Sequence, residues 1–377
     1  MIRSRILVSL RRTLVVYIFG LLWSCVSALG RPAYIVATDR RPSCIFPSTS
    51  LRHFAAPINL ADVGVFNIPG SDPERPRKVN QDRHFLFQND ETIVVGVMDG
   101  HGKDGHKLTE FLATQLPFRL KESLNSSTLN KSDHAALREM EERLVTLGKA
   151  KSTSMSEEHD VVSGALIQAF HLAHHDACQN TAVPAGRSGT TCVACVVTDD
   201  SIVTASVGDS TLILGLYAAP DVAAEGYVLS TEVLSVRTTV QIEGERSRIQ
   251  AGEGRVDGNG NVFYGPVGIA MTRALGDAVM LRAGILPTPM IRNFNRPVSH
   301  AQEETGEILS MIVLGSDGVF DVMTKEDVIQ LAGQVIQEFE STKTAAEAIC
   351  NEARRRWLAN LPIEPKVDDI TCAVVQI

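Results

Sequence analysis

Four aspartates each close an apolar run beside glycine or serine. They are Asp99 in Val-Val-Gly-Val-Met-Asp-Gly-His-Gly, Asp209 in Ser-Val-Gly-Asp-Ser, Asp317 in Val-Leu-Gly-Ser-Asp-Gly and Asp368 in Val-Asp-Asp-Ile-Thr. Carboxylate oxygens at strand ends, with glycine letting the backbone fold tightly beside them, are the hard donors that Mg²⁺ or Mn²⁺ takes. Taken singly, each segment is ordinary turn chemistry. The four lie far apart in the chain, so a catalytic centre exists only if one fold gathers them.

The elements that must do so are legible as changes of period. Thr92–Met98 is a β-branched run ending at Asp99-Gly100 and reads as a buried strand. Lys103–Leu120 follows as a helix, with Leu108, Phe111, Leu112, Leu116 and Leu120 at helical spacing. Residues 121–160 are polar and read as a surface insertion, in which Leu137, Met140, Leu144 and Leu147 trace one stripe of a helix. Val161–Cys178 is a further helix. Strands are then expected at Thr191–Val197, Ile202–Val207, Thr211–Tyr217 and Tyr227–Val233, with connections short enough to imply antiparallel pairing. Ile308–Leu314 and Ile370–Val375 are also strands. Between them lie helices at Lys325–Phe339, with a cap at Thr324-Lys-Glu-Asp327, and at Thr344–Trp357. Strands in runs and helices in runs favour a layered α+β architecture.

The chain has 377 residues, 44% of them apolar, enough for one large or two modest domains. Residues 1–58 hold eight Arg against one acid, Asp39, for a net +7, so the rest of the chain, out of −8 in all, carries −15. A body this acidic is unsuited to nucleic acid, which needs clustered Lys and Arg. The seven cysteines are scattered. Cys192 and Cys195 have C-x-x-C spacing, but strand alternation points them to opposite faces, against a zinc or redox role. A reducing compartment is expected.

The N-terminus reads as an address. Arg3, Arg5, Arg11 and Arg12 precede seventeen uncharged residues, 14–30, and then small residues, the layout of a signal peptide or a signal anchor. Residues 31–58 are Arg- and Ser-containing and nearly acid-free, as in a transit peptide. The two in series resemble bipartite plastid import sequences, so entry into the secretory pathway with onward passage to a plastid is expected. Anchoring in a membrane by residues 14–30 is the alternative.

An ordered series of motifs runs from residue 77 to the end. It comprises Arg77-Lys-Val-Asn-Gln-Asp82, Met-Asp99-Gly-His-Gly, Arg187-Ser-Gly-Thr-Thr191, Val-Gly-Asp209-Ser, Ala270-Met-Thr-Arg-Ala-Leu-Gly-Asp277, Gly-Ser-Asp317-Gly-Val-Phe-Asp321 and Asp368-Asp-Ile-Thr. Together they resemble the metal-dependent (type 2C, PPM-type) protein serine/threonine phosphatases. The resemblance implies a four-layer αββα sandwich of two antiparallel β-sheets flanked by helices. It implies hydrolysis of phosphoserine and phosphothreonine in proteins by a water activated on two Mg²⁺ or Mn²⁺ ions. By the same motifs, Asp99 would bridge the metals with the Gly100 carbonyl beside it, and Asp317 and Asp368 would complete the first site. Asp209 with Asp317 matches a weaker third position. His101 matches the general acid, Arg77 the phosphate clamp and Thr191 a residue close to the cleft. Asp277 and Asp321 read as structural support, Asp321 as a cap of the following helix. The substrates would be phosphoproteins and the chain a monomer.

Two departures stand out. Gln81 replaces an acid that many relatives carry just before Asp82, which bears on the second metal. Val236-Arg237-Thr238-Thr239 stands where relatives carry Asp-His-Lys-Pro, which bears on substrate choice. A pseudophosphatase that docks phosphoproteins without turnover is the main rival. A two-metal nuclease would need a basic cleft, and the acidic body speaks against it.

Overall fold

Apolar runs unbroken by a polar residue make the centre of the molecule, because a strand covered on both faces has no solvent side. In the computed structural model, the described residues are 63–88, 92–124, 131–146, 161–219, 226–297, 307–359 and 366–377. The leader segments 1–30 and 31–58, and Leu147, lie outside them. Strands β3 (Ile93–Met98) and β6 (Cys192–Val197) are buried along their whole length. They pair antiparallel, from Ile93 opposite Val197 to Val97 opposite Val193. β2 (Arg83–Gln88), β7 (Ser201–Val207) and β14 (Met290–Asn295) complete a five-stranded antiparallel sheet in the order β14-β7-β6-β3-β2. A second sheet, β1-β16-β15-β8-β9, comes from β1 (Val63–Ile68), β8 (Thr211–Ala219), β9 (Tyr227–Val233), β15 (Glu307–Gly315) and β16 (Ile370–Gln376).

The two sheets face each other through Val95, Val97, Val193, Cys195, Leu212, Ile312, Leu314 and Val375. Helices cover the outer faces. α1 (Gly105–Leu124) and α3 (Val161–Gln179) bury Leu108, Leu112, Leu116, Leu166 and Phe170 on the first sheet. α6 (Lys325–Phe339) and α7 (Thr342–Ala359) bury Val328, Ile329, Ile336 and Ile349 on the second. α2 (Lys131–Thr146) and the single turn α5 (Asp317–Phe320) complete the larger helices' company, α5 lying between β15 and α6. The result is the expected α+β sandwich, four layers deep. Strand alternation separates Cys192, which packs under the helices, from Cys195, which packs between the sheets.

The cap expected at the start of α6 is present: the Asp327 N–H donates to Thr324 Oγ1 at 3.1 Å and the Thr324 N–H to the Asp327 carboxylate at 3.3 Å. Asp321 does not share that role. It stands at the end of α5, where its N–H donates to the Asp317 carbonyl at 2.9 Å.

A small satellite lies beside the sandwich: α4 (Glu243–Ala251), the strands β10 (Arg255–Val256), β11 (Val262–Tyr264) and β12 (Val267–Ile269), and a 3-10 turn at Ala278–Ala283. Its core is Val240, Ile249, Val262, Met271, Met280 and Ile285. Buried Glu245 ties it together, accepting from Arg248, from Arg273 at 2.7 and 3.0 Å and from the Thr272 hydroxyl at 2.6 Å. Burial alone would raise the Glu245 carboxyl, but the two guanidinium groups outweigh it and hold it down at about 2. Glu245→Ala strands two buried cations and is expected to cost about 3–5 kcal/mol in urea unfolding; a loss within experimental error would show that water solvates them instead.

Candidate active site

Asp99 leaves the first sheet at the end of β3, whereas Asp317 follows β15 and Asp368 precedes β16 in the second. Because β15 and β16 are neighbours and the sheets are stacked, these strand ends meet at one edge of the sandwich. The Asp99 backbone is fixed from both sides. Its N–H donates to Thr191 Oγ1 at 3.1 Å, and its carbonyl accepts from the Thr191 N–H and from Thr190 Oγ1, both at 2.9 Å. The Thr191 hydroxyl also meets Ser210 Oγ at 2.7 Å, which joins the Asp99 turn to the Asp209 turn. Thr191 therefore acts as a brace between two acidic loops.

The carboxylates crowd one another. Asp82, 1% exposed, accepts from Ser316 Oγ at 2.8 Å, but burial and its neighbours Asp369 and Asp317 push it up to about 7. Burial and the charges of Asp82 and Asp317 drive Asp99 well above the usual carboxylate range. Asp317 rises to about 6 through burial and the charges of Asp368 and Asp209. Asp368 goes the other way: burial would raise it, yet Lys78 outweighs that, with Nζ at 3.0 Å. Lys78 also reaches Asp369 at 3.2 Å, and Asp369 accepts the N–H groups of Gly70 and Gln81 at 2.7 and 2.9 Å. Lys78 and Asp369 went unnoticed in the sequence reading; the doubled acid in Asp368-Asp369 was the only signal.

This donor set fits a divalent cation. Asp82 Oδ1 and Asp317 Oδ1 are buried without a hydrogen-bond partner, and the raised carboxyls mark negative charge that the protein does not offset. As the side chains stand, no three His, Cys, Asp or Glu groups among the described residues surround one point as ligands.

Gly100 and His101 form β4, which pairs with β5 (Gly189–Thr190), itself paired with β13 (Leu275–Gly276). His101 Nε2 lies 2.6 Å from Asp277 Oδ2. Burial would lower the His101 pKa, but Asp277 and then Asp209 outweigh it, so the ring is held above its ordinary value. The Gln81 side-chain amide donates to the Gly102 carbonyl at 3.0 Å. Arg77 is exposed, and no side chain among the described residues hydrogen-bonds it. Asp209 has a cation beside it: Arg237 Nη2 is 3.9 Å from its carboxylate. Thr238 pins that arrangement, since its N–H donates to the Gly208 carbonyl and its hydroxyl accepts from the Gly208 N–H, each at 2.8 Å. His174 is buried on α3, and its Nδ1 accepts from the Gly276 N–H at 3.2 Å.

Comparison with known proteins agrees with this geometry. The family model for protein phosphatase 2C matches residues 74–360. The chain is 26% identical to probable protein phosphatase 2C 14 of Oryza sativa subsp. japonica over 94% of its own length and 69% of that protein's. It is 28% identical to probable protein phosphatase 2C 65 of Arabidopsis thaliana, covering 79% of this chain and 72% of that one. In fold it is similar to a serine-threonine phosphatase 2C from Toxoplasma gondii, with TM-score 0.61 and 20% identity over 86% of this chain and 98% of the other. The sandwich, the acidic edge and a family model spanning most of the chain converge: this protein belongs to the protein phosphatase 2C family of metal-dependent protein serine/threonine phosphatases.

Proposed function

We propose that the acidic edge is the catalytic centre, where phosphoserine and phosphothreonine esters of proteins are hydrolysed with two Mg²⁺ or Mn²⁺ ions. The observation that carries this reading is the set of uncompensated carboxylates at converging strand ends, with His101 beside them. Asp99, the Gly100 carbonyl, Asp317 and Asp368 are the groups that would hold the ions, with Asp82 behind them. Such ions, when bound, acidify water to near neutrality and neutralise phosphoryl charge. The chain's own residues do the rest. Arg77, with a planar fork of donors and no side-chain partner among the described residues, is the group assigned to grip phosphate oxygens. His101 is placed to give its proton to the departing serine or threonine oxygen, which is too basic to leave unaided. No thiol nucleophile is required, and burial pushes the Cys192 and Cys195 thiols far up.

Mn²⁺-stimulated release of phosphate from an aryl phosphate and from a phosphothreonine peptide tests the reading. No turnover at all would favour the docking pseudophosphatase, and turnover that chelation leaves unchanged would remove the metal ions from the reaction. Arg77→Ala is expected to raise KM about tenfold with a smaller change in kcat, since a ground-state phosphate contact is lost; an unchanged KM removes the clamp. Arg237 offers Asp209 a resident charge, which supports two ions rather than three. Arg237→Ala should therefore tighten the weakest Mn²⁺ event in a calorimetric titration by about threefold to fivefold, the scale of a half-exposed ion pair. An identical isotherm would mean that Arg237 does not compete there.

The N-terminal reading is likewise a proposal: its basic head and apolar run support import through a signal, with a plastid as destination. Imaging residues 1–58 fused to a fluorescent reporter in the native cell tests it.

A further inference from the structure

Asp277 reads from the sequence as structural support only, yet the fold goes to some length to place it. Its backbone is left-handed, with φ 48° and ψ 40°, one of two non-glycine residues with positive φ among the described residues. L-residues avoid that region, and aspartate tolerates it better than most. The conformation is held by the Asp277 N–H donating to the Ser188 carbonyl at 3.0 Å and the Met280 N–H donating to the Asp277 carbonyl at 2.7 Å. Gly276 before it is also at positive φ and is anchored to His174. Register does the remaining work: Gly189 of β5 stands opposite His101 on one side and Gly276 on the other. A Cβ on Gly189 would come within 1.9 Å of Asp277 Oδ2 and 2.5 Å of His101 Nε2. The glycine there makes room for the contact between the two side chains. Asp277 is 1% exposed and its second oxygen has no partner, so its polar contact is spent on His101.

We propose that Asp277 is the positioning residue for His101: it holds the ring by Nε2 and thereby leaves Nδ1 as the atom that meets the leaving group. The Nε2 side is closed by the 2.6 Å contact, whereas the His101 side chain keeps 23% exposure. In the step this implies, the oxygen of the attacking water bonds to phosphorus, its proton passing to solvent, as the P–O bond to the serine or threonine breaks and that bond's electron pair stays on the departing oxygen. The oxygen takes the proton from His101 Nδ1, so the alcohol departs neutral. The ring is left neutral, its Nε2–H still donated to the Asp277 carboxylate, and Nδ1 is reprotonated from water before the next turnover. Asp277 touches no reacting atom. It sets which nitrogen is available and stops the ring from turning.

The inference rests on the acid role given to His101 above, and the experiment separates the two. Steady-state rates at saturating Mn²⁺ are measured for aryl phosphates of graded leaving-group acidity and for a phosphothreonine peptide. The variants are His101→Ala, Asp277→Asn, Asp277→Gly and each Asp277 change combined with His101→Ala. Glycine suits the left-handed backbone, so Asp277→Gly removes the carboxylate while keeping the turn. Both Asp277 variants are expected to lose about 10–100-fold in kcat on the peptide and far less on the most activated aryl ester, with KM and Mn²⁺ affinity unchanged. In the His101→Ala background neither should cost anything more. Equal losses on every leaving group, or losses that add to that of His101→Ala, would make Asp277 a structural brace and overturn the proposal. If His101→Ala itself shows no dependence on the leaving group, the acid role falls first and the positioning role falls with it.

Discussion

Asp99→Ala is expected to lower Mn²⁺-stimulated phosphatase turnover by at least about 10³-fold while raising the melting temperature measured in chelator. The two effects have one cause. Asp99 is pressed against Asp82, Asp317 and Asp368, and burial with their charges drives its carboxyl far above the usual range. A cluster arranged this way stores repulsion that only a cation relieves, so deleting one member relaxes the fold and removes the reason for a cation to bind. Asp317→Ala should behave the same way, because the Asp317 charge helps to raise Asp99 and Asp317 is itself raised to about 6. In both variants the rise in melting temperature that Mn²⁺ gives the native protein should disappear. Circular dichroism melts with and without the ion, beside the activity assay, separate this from simple misfolding. Activity within tenfold of wild type in either variant would remove the acidic edge from the chemistry.

What the sequence made legible followed burial. β3, β6, α3 and α6 were readable because their apolar residues form unbroken runs or a clean helical stripe, and α6 announces its start with Thr324 and Asp327. In the two five-stranded sheets, the strands that escaped notice, β1, β2 and β14, all lie at edges. An edge strand is covered less completely, and Arg292 and Asn293 of β14 or Arg83 and His84 of β2 break the pattern that buried strands show. Their partners are also remote, as with Ile68 opposite Ile370. The site divides along the same line. The four aspartates stood out through their turns and their order along the chain. The contacts that tune them did not: Lys78 reaching Asp368, Arg237 beside Asp209 and Asp277 behind His101 all depend on where distant loops land. The His101–Asp277 pair rests on strands of two residues each, too short to leave any periodicity. Composition also cannot say which of the adjacent His174 and His175 on α3 faces inward, since neighbours on a helix turn about 100° apart; His174 does.

Raising the pH from 5 to 8 in chelator should lower the melting temperature, by about 5–10 °C, and saturating Mn²⁺ should abolish or reverse that fall. Asp82 and Asp317 have folded-state pKa values of about 7 and about 6 against an ordinary 3.8, and Asp99 lies well above it too. Between the unfolded and folded values, the folded chain holds more protons than the unfolded one, so stability falls as those protons are removed. Asp82 alone, raised from 3.8 to about 7, loses about 3 kcal/mol of stability between pH 5 and 8, and a domain of this size moves about 2 °C per kcal/mol. His101, raised in the fold, loses its contribution over the upper part of the same window and adds to the slope. Asp368 and Glu245 are lowered, so their stabilising effect is complete above about pH 5 and contributes nothing to the trend. A divalent ion binds the deprotonated carboxylates and so replaces the protons, gaining affinity as pH rises and cancelling the loss. Asp82→Asn, which cannot titrate, should flatten the chelator curve without metal. A melting temperature that stays level from pH 5 to 8 in chelator, or a slope that Asp82→Asn leaves untouched, would mean that the buried carboxyls carry no uncompensated charge for a metal to answer.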